Sequence, residues 1–162
     1  MLADVHTARE ADLAGVVLGV QASDGGLDVA VLRTLLDAAG PLPATLHRVI
    51  DVVADPFEAL EQAIDLGFER VLTSGAAAEA PQGGDMIRMM VSRADGRISV
   101  MPGCGLDAEN VAALVRETGV TEVHAACLSP ADGPRAFSDF DPPGGRFMTD
   151  ALKVRAMVEA LA

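Results

Sequence analysis

The sequence contains no tryptophan and no tyrosine, and aromatic residues make up only 3% of its 162 residues. Hydrophobic residues nevertheless account for 50% of the chain, so its core must be built from alanine, valine, leucine, isoleucine and methionine. Such residues suit parallel strands that are buried on both faces beneath helices. This balance also excludes an intrinsically disordered chain, because disorder requires low hydrophobicity.

Basic residues are scarce. The chain has 12 lysines and arginines against 24 aspartates and glutamates, which gives a net charge of −12. A surface this negative repels the phosphate backbone of nucleic acids and the anionic headgroups of membranes. The sequence therefore predicts that neither nucleic acid nor a membrane is a partner.

Long apolar runs and cysteine pairs are also missing. No segment approaches the roughly 18 to 20 apolar residues that span a bilayer, and no basic start is followed by an apolar signal core. The only two cysteines, Cys104 and Cys127, form no CxxC motif. We therefore expect a cytoplasmic protein whose cysteines are free thiols.

Short apolar segments alternate with amphipathic ones along the whole chain, and glycine, proline or aspartate separates them. After a leading helix at 2–13, this pattern predicts five buried strands. They lie within 15–20, 43–51, 69–75, 97–105 and 122–129, and some of these segments include the loop that follows the strand. Strands that alternate with helices indicate right-handed crossovers and a parallel sheet. The length suits a single domain over 1–162, with 130–148 as a long irregular loop.

Several residues mark where the helices begin and end. Asp55 before a proline is typical of a helix N-cap, and Gly67 is typical of a left-handed stop. Asp107 is expected to cap the helix after the fourth strand. Thr149 or Asp150 is expected to start the last helix.

Most of the chemically versatile side chains follow these predicted strands. Ligands of parallel α/β proteins bind at the carboxyl ends of the strands, whether the sheet is open or closed into a barrel. The candidates at this edge, in chain order, are His47, Arg48, Asp51, Thr73, Ser74, Gly75, Gly103, Cys104, Gly105, His124 and Cys127.

The segment with His47, Arg48 and Asp51 offers three catalytic roles. His47 is a candidate general base or metal ligand, Arg48 a candidate anion clamp, and Asp51 a group that orients either. Alternate residues of a strand face opposite sides, so a regular strand cannot point both His47 and Arg48 inward. His47 shares a face with Thr45, which favours His47. The alternative is that His47 only packs and Arg48 pairs with a surface acid.

Two loops are candidate ligand-binding elements. Gly103 and Gly105 flank a turn that runs towards a helix, and exposed N–H groups at such a turn favour phosphate or carboxylate. The Thr73–Ser74–Gly75 segment supplies hydroxyl and backbone donors. Purely structural turns are the alternative at both places.

A soft metal site is a further candidate. His47, Cys104, His124 and Cys127 together provide imidazole and thiolate ligands, which suit Cu(I) or Zn(II). Their spacing matches no zinc-finger or ribbon pattern. The alternative is that each cysteine acts as a small hydrophobic residue.

The segment LHRVIDVVADPFEALEQAIDLGFERVLTSG, followed by RISVMPGCGLDAENV, resembles the copper-homeostasis CutC family. The shared motifs are His-Arg-x-x-Asp at 47–51, Asp-Pro-x-x-Ala-Leu-Glu at 55–61, Leu-Thr-Ser-Gly at 72–75, Met-Pro-Gly-x-Gly at 101–105 and a late-strand histidine at 124. The resemblance runs from about residue 2 to residue 161.

This resemblance implies a TIM-type (β/α) barrel of which the chain supplies five of eight strands, without roughly the first three βα units. Those units carry an early Glu-x-Cys strand and an Arg-Pro-Arg-Gly-Gly loop in the family. Cys104 and Cys127 depart from the family pattern, so the resemblance does not imply that they are inherited metal ligands.

Two functions follow as expectations. The resemblance implies a cytoplasmic role in copper homeostasis with copper-ion binding. The alternative is an enzyme of lyase or isomerase type that acts on a small anionic or phosphorylated metabolite, with His47 as the base. Because an open five-stranded sheet has two unpaired edges, we also expect a homo-oligomer; the alternative is that the chain pairs these edges through its own termini.

Overall fold

The computed structural model of the chain describes residues 1–130 and 146–162. Strands and helices alternate along it, in this order: α1 (Leu2–Glu10), β1 (Val16–Leu18), α2 (Val29–Ala39), β2 (Ala44–Leu46), a 3-10 helix (Arg48–Asp51), α3 (Pro56–Leu66), β3 (Arg70–Thr73), α4 (Gly84–Ala94), β4 (Ser99–Pro102), α5 (Val111–Thr118), β5 (Leu128–Pro130), β6 (Phe147–Thr149) and α6 (Ala151–Ala160).

The main sheet has four parallel strands in the order β1-β2-β3-β4. Each strand pairs with the next one in the chain, and a helix connects them, as the alternating pattern predicts. In this sheet Val17 lies beside Thr45, Thr45 beside Arg70, and Arg70 beside Ser99. All four carboxyl ends therefore meet at one edge, which we call the rim.

The hydrophobic core lies between this sheet and its helices. Leu46 and Val71 are fully buried on the face that the helices cover, and they pack with Leu32 and Leu60 from α2 and α3. The opposite face is more open: Val17 is 62% exposed. Successive residues of a strand thus face different surroundings, one buried under the helices and the next more exposed, as expected for alternating side chains.

The fifth predicted strand, 122–129, does not form as predicted. A single parallel bridge joins His124 to Gly103, and Leu128–Pro130 instead pairs antiparallel with Phe147–Thr149. Cys127 has a φ of 50°, a left-handed conformation that interrupts an extended chain. The predicted loop 130–148 accordingly begins and ends in strand residues, and its positions 131–145 lie outside the described residues.

Most helix boundaries match their predicted capping residues. Asp55 accepts from the N–H groups of Phe57 and Glu58, Gly67 adopts the left-handed conformation after α3, and Asp150 caps α6. Two boundaries differ. Helix α1 ends at Glu10, and α5 begins only at Val111 with Asn110 as its N-cap.

None of the helices among residues 1–130 and 146–162 has the length and apolarity that a membrane crossing requires.

Candidate functional site

The 3-10 helix after β2 decides which side chains reach the rim. Strand β2 ends at Leu46, and His47 caps the helix by accepting the Val49 N–H on its Nδ1 atom at 3.0 Å. His47 and Arg48 therefore both lie outside the strand. The alternation that favoured His47 over Arg48 does not apply here, and Arg48 is the residue that joins a polar cluster.

Asp51, at the end of this helix, is the centre of that cluster. One carboxylate oxygen accepts from Thr73 Oγ1 at 2.5 Å and from the Ala76 N–H at 3.0 Å. The other accepts from the Ser74 N–H at 2.9 Å and from Arg48 Nε at 2.8 Å. The side chain is only 4% exposed. A buried carboxylate with this many donors is held rigidly in its charged form.

Arg48 extends this network across the rim. Its Nη2 donates to Ser74 Oγ at 2.6 Å and to the Ala77 carbonyl, and its Nη1 donates to Cys104 Sγ at 3.0 Å. The guanidinium thus links the ends of β2, β3 and β4. Its side chain is 39% exposed, so this cation is anchored on one side and open to solvent on the other.

The electrostatics of the pair favour both charges. Burial by itself would raise the pKa of Asp51, but hydrogen bonds from Thr73, Arg48 and the backbone outweigh it, so the pKa lies below its ordinary value. The hydrogen bond to Asp51 in turn raises the pKa of Arg48. The rim therefore carries a fixed positive group above a fixed negative one.

The Thr73–Ser74–Gly75 segment packs against this cluster and bonds to it. All three residues are buried, and both hydroxyl groups bond the Asp51 carboxylate. Gly75 has a φ of 71°, and a Cβ there would collide with the backbone of Gly83. The two hydroxyl groups therefore hold the Asp51 carboxylate in place, and ligand binding by this segment stays a prediction.

The two glycines of the Gly103–Gly105 turn lie in different surroundings. Gly103 is buried and donates its N–H to the Thr73 carbonyl, whereas Gly105 is exposed and carries the Glu79 side chain against it. Asp107 then accepts from the N–H groups of Glu109 and Asn110. The Asp107 carboxylate thus occupies two N–H groups that precede α5, whereas anion binding by the Gly103–Gly105 turn itself stays a prediction.

The candidate metal ligands are only partly brought together. A cavity of about 640 Å³ is lined by Cys104, His124 and Cys127, with Lys153 of α6 at its wall. His47 does not line it. Among the described ranges, 1–130 and 146–162, no three His, Cys, Asp or Glu side chains form a group that could hold a metal ion. The predicted set of His47, Cys104, His124 and Cys127 is therefore not assembled as a ligand sphere.

Gly19 was missed as a site residue. It directly follows β1 and lies beside His47, and a Cβ on Gly19 would lie 2.5 Å from Nδ1 and 2.7 Å from Nε2 of the imidazole. The absent side chain makes room for the ring. A glycine that closes a strand next to a histidine-bearing strand end is the signal that could have identified it.

The more open face of the sheet, opposite the helix-covered one, carries a second polar group, which the sequence did not predict. Arg70 donates twice to the Glu122 carboxylate, at 2.9 Å each, and Ser99 Oγ donates to it at 2.5 Å. Hydrogen bonds from Arg70 and then Ser99 lower the pKa of Glu122 to about 2. This ion pair joins β3 and β4 to the segment before His124.

The fold and the rim together define a class: a parallel α/β protein whose polar side chains gather where its strands end. The model of the CutC family matches residues 1–129. A protein of Rhizobium meliloti strain 1021, named a family protein CutC, is 45% identical over 159 residues, which are 97% of this chain and 65% of that protein. The chain belongs to the CutC family, as its motifs predict.

Solved structures agree with this assignment. A CutC protein of Streptococcus agalactiae, named for copper homeostasis, is 31% identical with a TM-score of 0.73 over 76% of this chain and 61% of that one. The native KDPGal structure is 14% identical with a TM-score of 0.63 over 99% of this chain and 64% of that one, which shows the fold alone. The predicted α/β class and partial TIM-type barrel are confirmed. The chain spans less than two thirds of the length of the Rhizobium meliloti and Streptococcus agalactiae proteins, 65% and 61%.

Proposed function

We propose that the rim binds a small anionic ligand, a carboxylate or a phosphate ester, through the guanidinium of Arg48. The supporting observation is that Arg48 is held by Asp51 and Ser74 on one side and reaches only a thiol, Cys104, on the other. A thiol is a weak hydrogen-bond acceptor. An incoming oxyanion offers Nη1 a stronger partner, because a negatively charged oxygen is a better acceptor for the guanidinium than a thiol sulfur.

The position of this site supports the same proposal. Arg48 lies where β2, β3 and β4 end, which is the edge at which parallel α/β proteins bind ligands. The bonds to Asp51 and Ser74 restrain the guanidinium, so less conformational entropy is lost when a ligand binds. In a longer barrel of this family, such a site suits an enzyme of lyase or isomerase type that acts on a small anionic metabolite.

A thermal-shift and calorimetric titration tests this proposal. Inorganic phosphate and glycerol phosphate are each added to the wild type, to Arg48→Gln and to Arg88→Gln as a matched control. Arg88 forms only an exposed pair with Asp85. At about 100 times Kd, a bound ligand stabilises the protein by about 2.7 kcal/mol. We expect this gain in the wild type and in Arg88→Gln but not in Arg48→Gln.

Arg48→Lys tests whether binding needs the guanidinium itself or only a positive charge at this position. Lysine keeps the positive charge but lacks the planar fork of arginine, so it should bind phosphate about tenfold more weakly than the wild type. Equal stabilisation of all four proteins by phosphate would contradict a site at Arg48.

A role in cytoplasmic copper homeostasis is a second proposed function. The related structure from Streptococcus agalactiae is named for copper homeostasis. In this chain, Cys104, His124 and Cys127 line one cavity, and Cu(I) accepts as few soft ligands as two thiolates. Both cysteines are free. The fit extends no further, since no three-ligand group is present among the described residues.

An anaerobic Cu(I) titration against a competing chelator tests this second function. We expect the double variant Cys104→Ser/Cys127→Ser to bind Cu(I) at least tenfold more weakly than the wild type. His6→Ala, on the exposed face of α1, is the matched control. A double variant that competes as well as the wild type would exclude the thiol site.

A further inference from the structure

His47 is held through both its backbone and its ring. The backbone N–H of His47 donates to the Leu18 carbonyl at 2.8 Å, and the ring Nδ1 accepts the Val49 N–H at 3.0 Å. The ring also lies against Gly19, where even a methyl group would overlap it. His47 therefore spans the ends of β1 and β2 with a single ring orientation.

The bond from Val49 also selects the protonation state of the ring. A nitrogen that accepts a hydrogen bond must carry a lone pair, so Nδ1 holds no proton in this arrangement. The neutral ring then carries its proton on Nε2.

The Nε2 atom is the part of His47 that remains available. No hydrogen bond within residues 1–130 and 146–162 uses this atom, and none of the buried side-chain nitrogen or oxygen atoms there lacks a partner. The residue is half-buried. Nε2 is therefore a proton-bearing donor that faces solvent at the rim.

We propose that His47 is a positioning residue that donates a hydrogen bond from Nε2 to the anionic ligand of the rim while its ring is neutral. This inference rests on the proposed anion site and deepens it, because it replaces the predicted general base with a hydrogen-bond donor. Arg48 supplies the charge on the β3 side of the 3-10 helix, and His47 supplies a directional donor on the β1 side. The pair favours ligands with two oxyanion or carbonyl acceptors, such as a phosphate ester or a hydroxy acid.

Nitrogen NMR on the ¹⁵N-histidine-labelled full chain tests the state of the ring. Above neutral pH, we expect a pyridine-type shift for Nδ1 and a pyrrole-type shift for Nε2 of His47. Saturating inorganic phosphate should move the Nε2 signal and leave Nδ1 in the same class. A proton on Nδ1 in the free protein would overturn the inference.

Two substitutions separate the two nitrogen atoms. The amide of asparagine can replace Nδ1 as the acceptor, and the longer amide of glutamine can place a donor near Nε2. We expect His47→Asn to keep the unfolding midpoint of the wild type but to bind phosphate about tenfold more weakly. His47→Gln should bind within about threefold of the wild type although it loses the helix cap.

Gly19→Ala provides the third variant, since its methyl group displaces the ring while both nitrogens remain. We expect it to weaken phosphate binding as much as His47→Asn does. Unchanged binding in His47→Asn and in Gly19→Ala would overturn the inference about His47. Binding that persists in Arg48→Gln but is lost in His47→Asn would overturn the proposed Arg48 site alone. Absence of phosphate binding in the wild type would overturn both.

Discussion

Arg48 and Asp51 lie one turn of 3-10 helix apart, and this spacing forms their 2.8 Å ion pair. Side chains at i and i+3 of a 3-10 helix lie directly above one another. In a strand, two residues three positions apart would face opposite sides. The end of β2 at Leu46 is therefore what allows the guanidinium and the carboxylate to meet.

Asp51→Asn should lower the free energy of unfolding by about 3 kcal/mol, because removal of one partner leaves the other charge without compensation. The neutral amide also places an NH₂ group among the donors of Thr73, Ser74 and Ala76. Urea unfolding followed by circular dichroism measures the change. Asp85→Asn, which removes an exposed carboxylate, should change stability by less than about 0.5 kcal/mol. Similar losses in the two variants would contradict the central role of Asp51.

Glu122 should contribute to stability in a pH-dependent manner. Its pKa falls from an ordinary 4.5 to about 2 in the folded protein, so its contribution is present above pH 4.5 and is lost as the pH drops towards 2. The side chain is 38% exposed, which limits the effect to about 1 kcal/mol or less. We expect the stability difference between the wild type and Glu122→Gln to be constant at neutral pH and to shrink below pH 4.5. A difference that grows on acidification would have the wrong sign.

Gly75→Ala should be far more destabilising than Gly119→Ala. Both glycines have left-handed backbone angles, with φ of 71° and 76°, and both substitutions carry the cost of about 1–2 kcal/mol for that conformation. Only Gly75 also faces a close backbone neighbour, Gly83, whereas nothing lies within 4 Å of a Cβ at Gly119. We expect the melting temperature to fall by at least several degrees more for Gly75→Ala. Equal shifts would show that the contact with Gly83 relaxes freely.

The free edge of β1 should support self-association, as the open sheet predicts. Within residues 1–130 and 146–162, β1 pairs with β2 and with no other strand, and Val17 on it is largely exposed. Unpaired edges recruit other strands unless charges or proline protect them. Light scattering at physiological salt should give a mass above that of one chain for the wild type and for Val158→Lys, a control on α6. Val17→Lys should give the mass of a monomer, and a monomeric wild type would contradict the prediction.

The parts of the fold that local signals determine were predictable. Asp55 with its following proline, Gly67 and Asp150 each act through contacts with residues a few positions away, so the sequence alone identifies them. The strands of the parallel sheet were predictable for the same reason, since buried apolar runs need no distant information. The fifth strand was not, because the left-handed angle at Cys127 depends on its surroundings.

The sequence predicted which residues lie at the rim but not which of them form hydrogen bonds with each other. Chain order places Arg48, Asp51, Ser74 and Cys104 at neighbouring strand ends. Which of them touch depends on where β2 stops, and a single residue of difference exchanges the faces of His47 and Arg48. The state of His47 depends on one backbone N–H, that of Val49, which no spacing rule reveals.

The order of the main sheet has a consequence for biosynthesis. Because each of its strands pairs with the next in the chain, a nascent polypeptide can add one strand and helix at a time to a growing edge as it leaves the ribosome. The bond from Arg48 to Cys104, in contrast, joins residues 56 positions apart. Secondary structure can therefore accumulate during translation, while the completed rim appears only after β4 has docked.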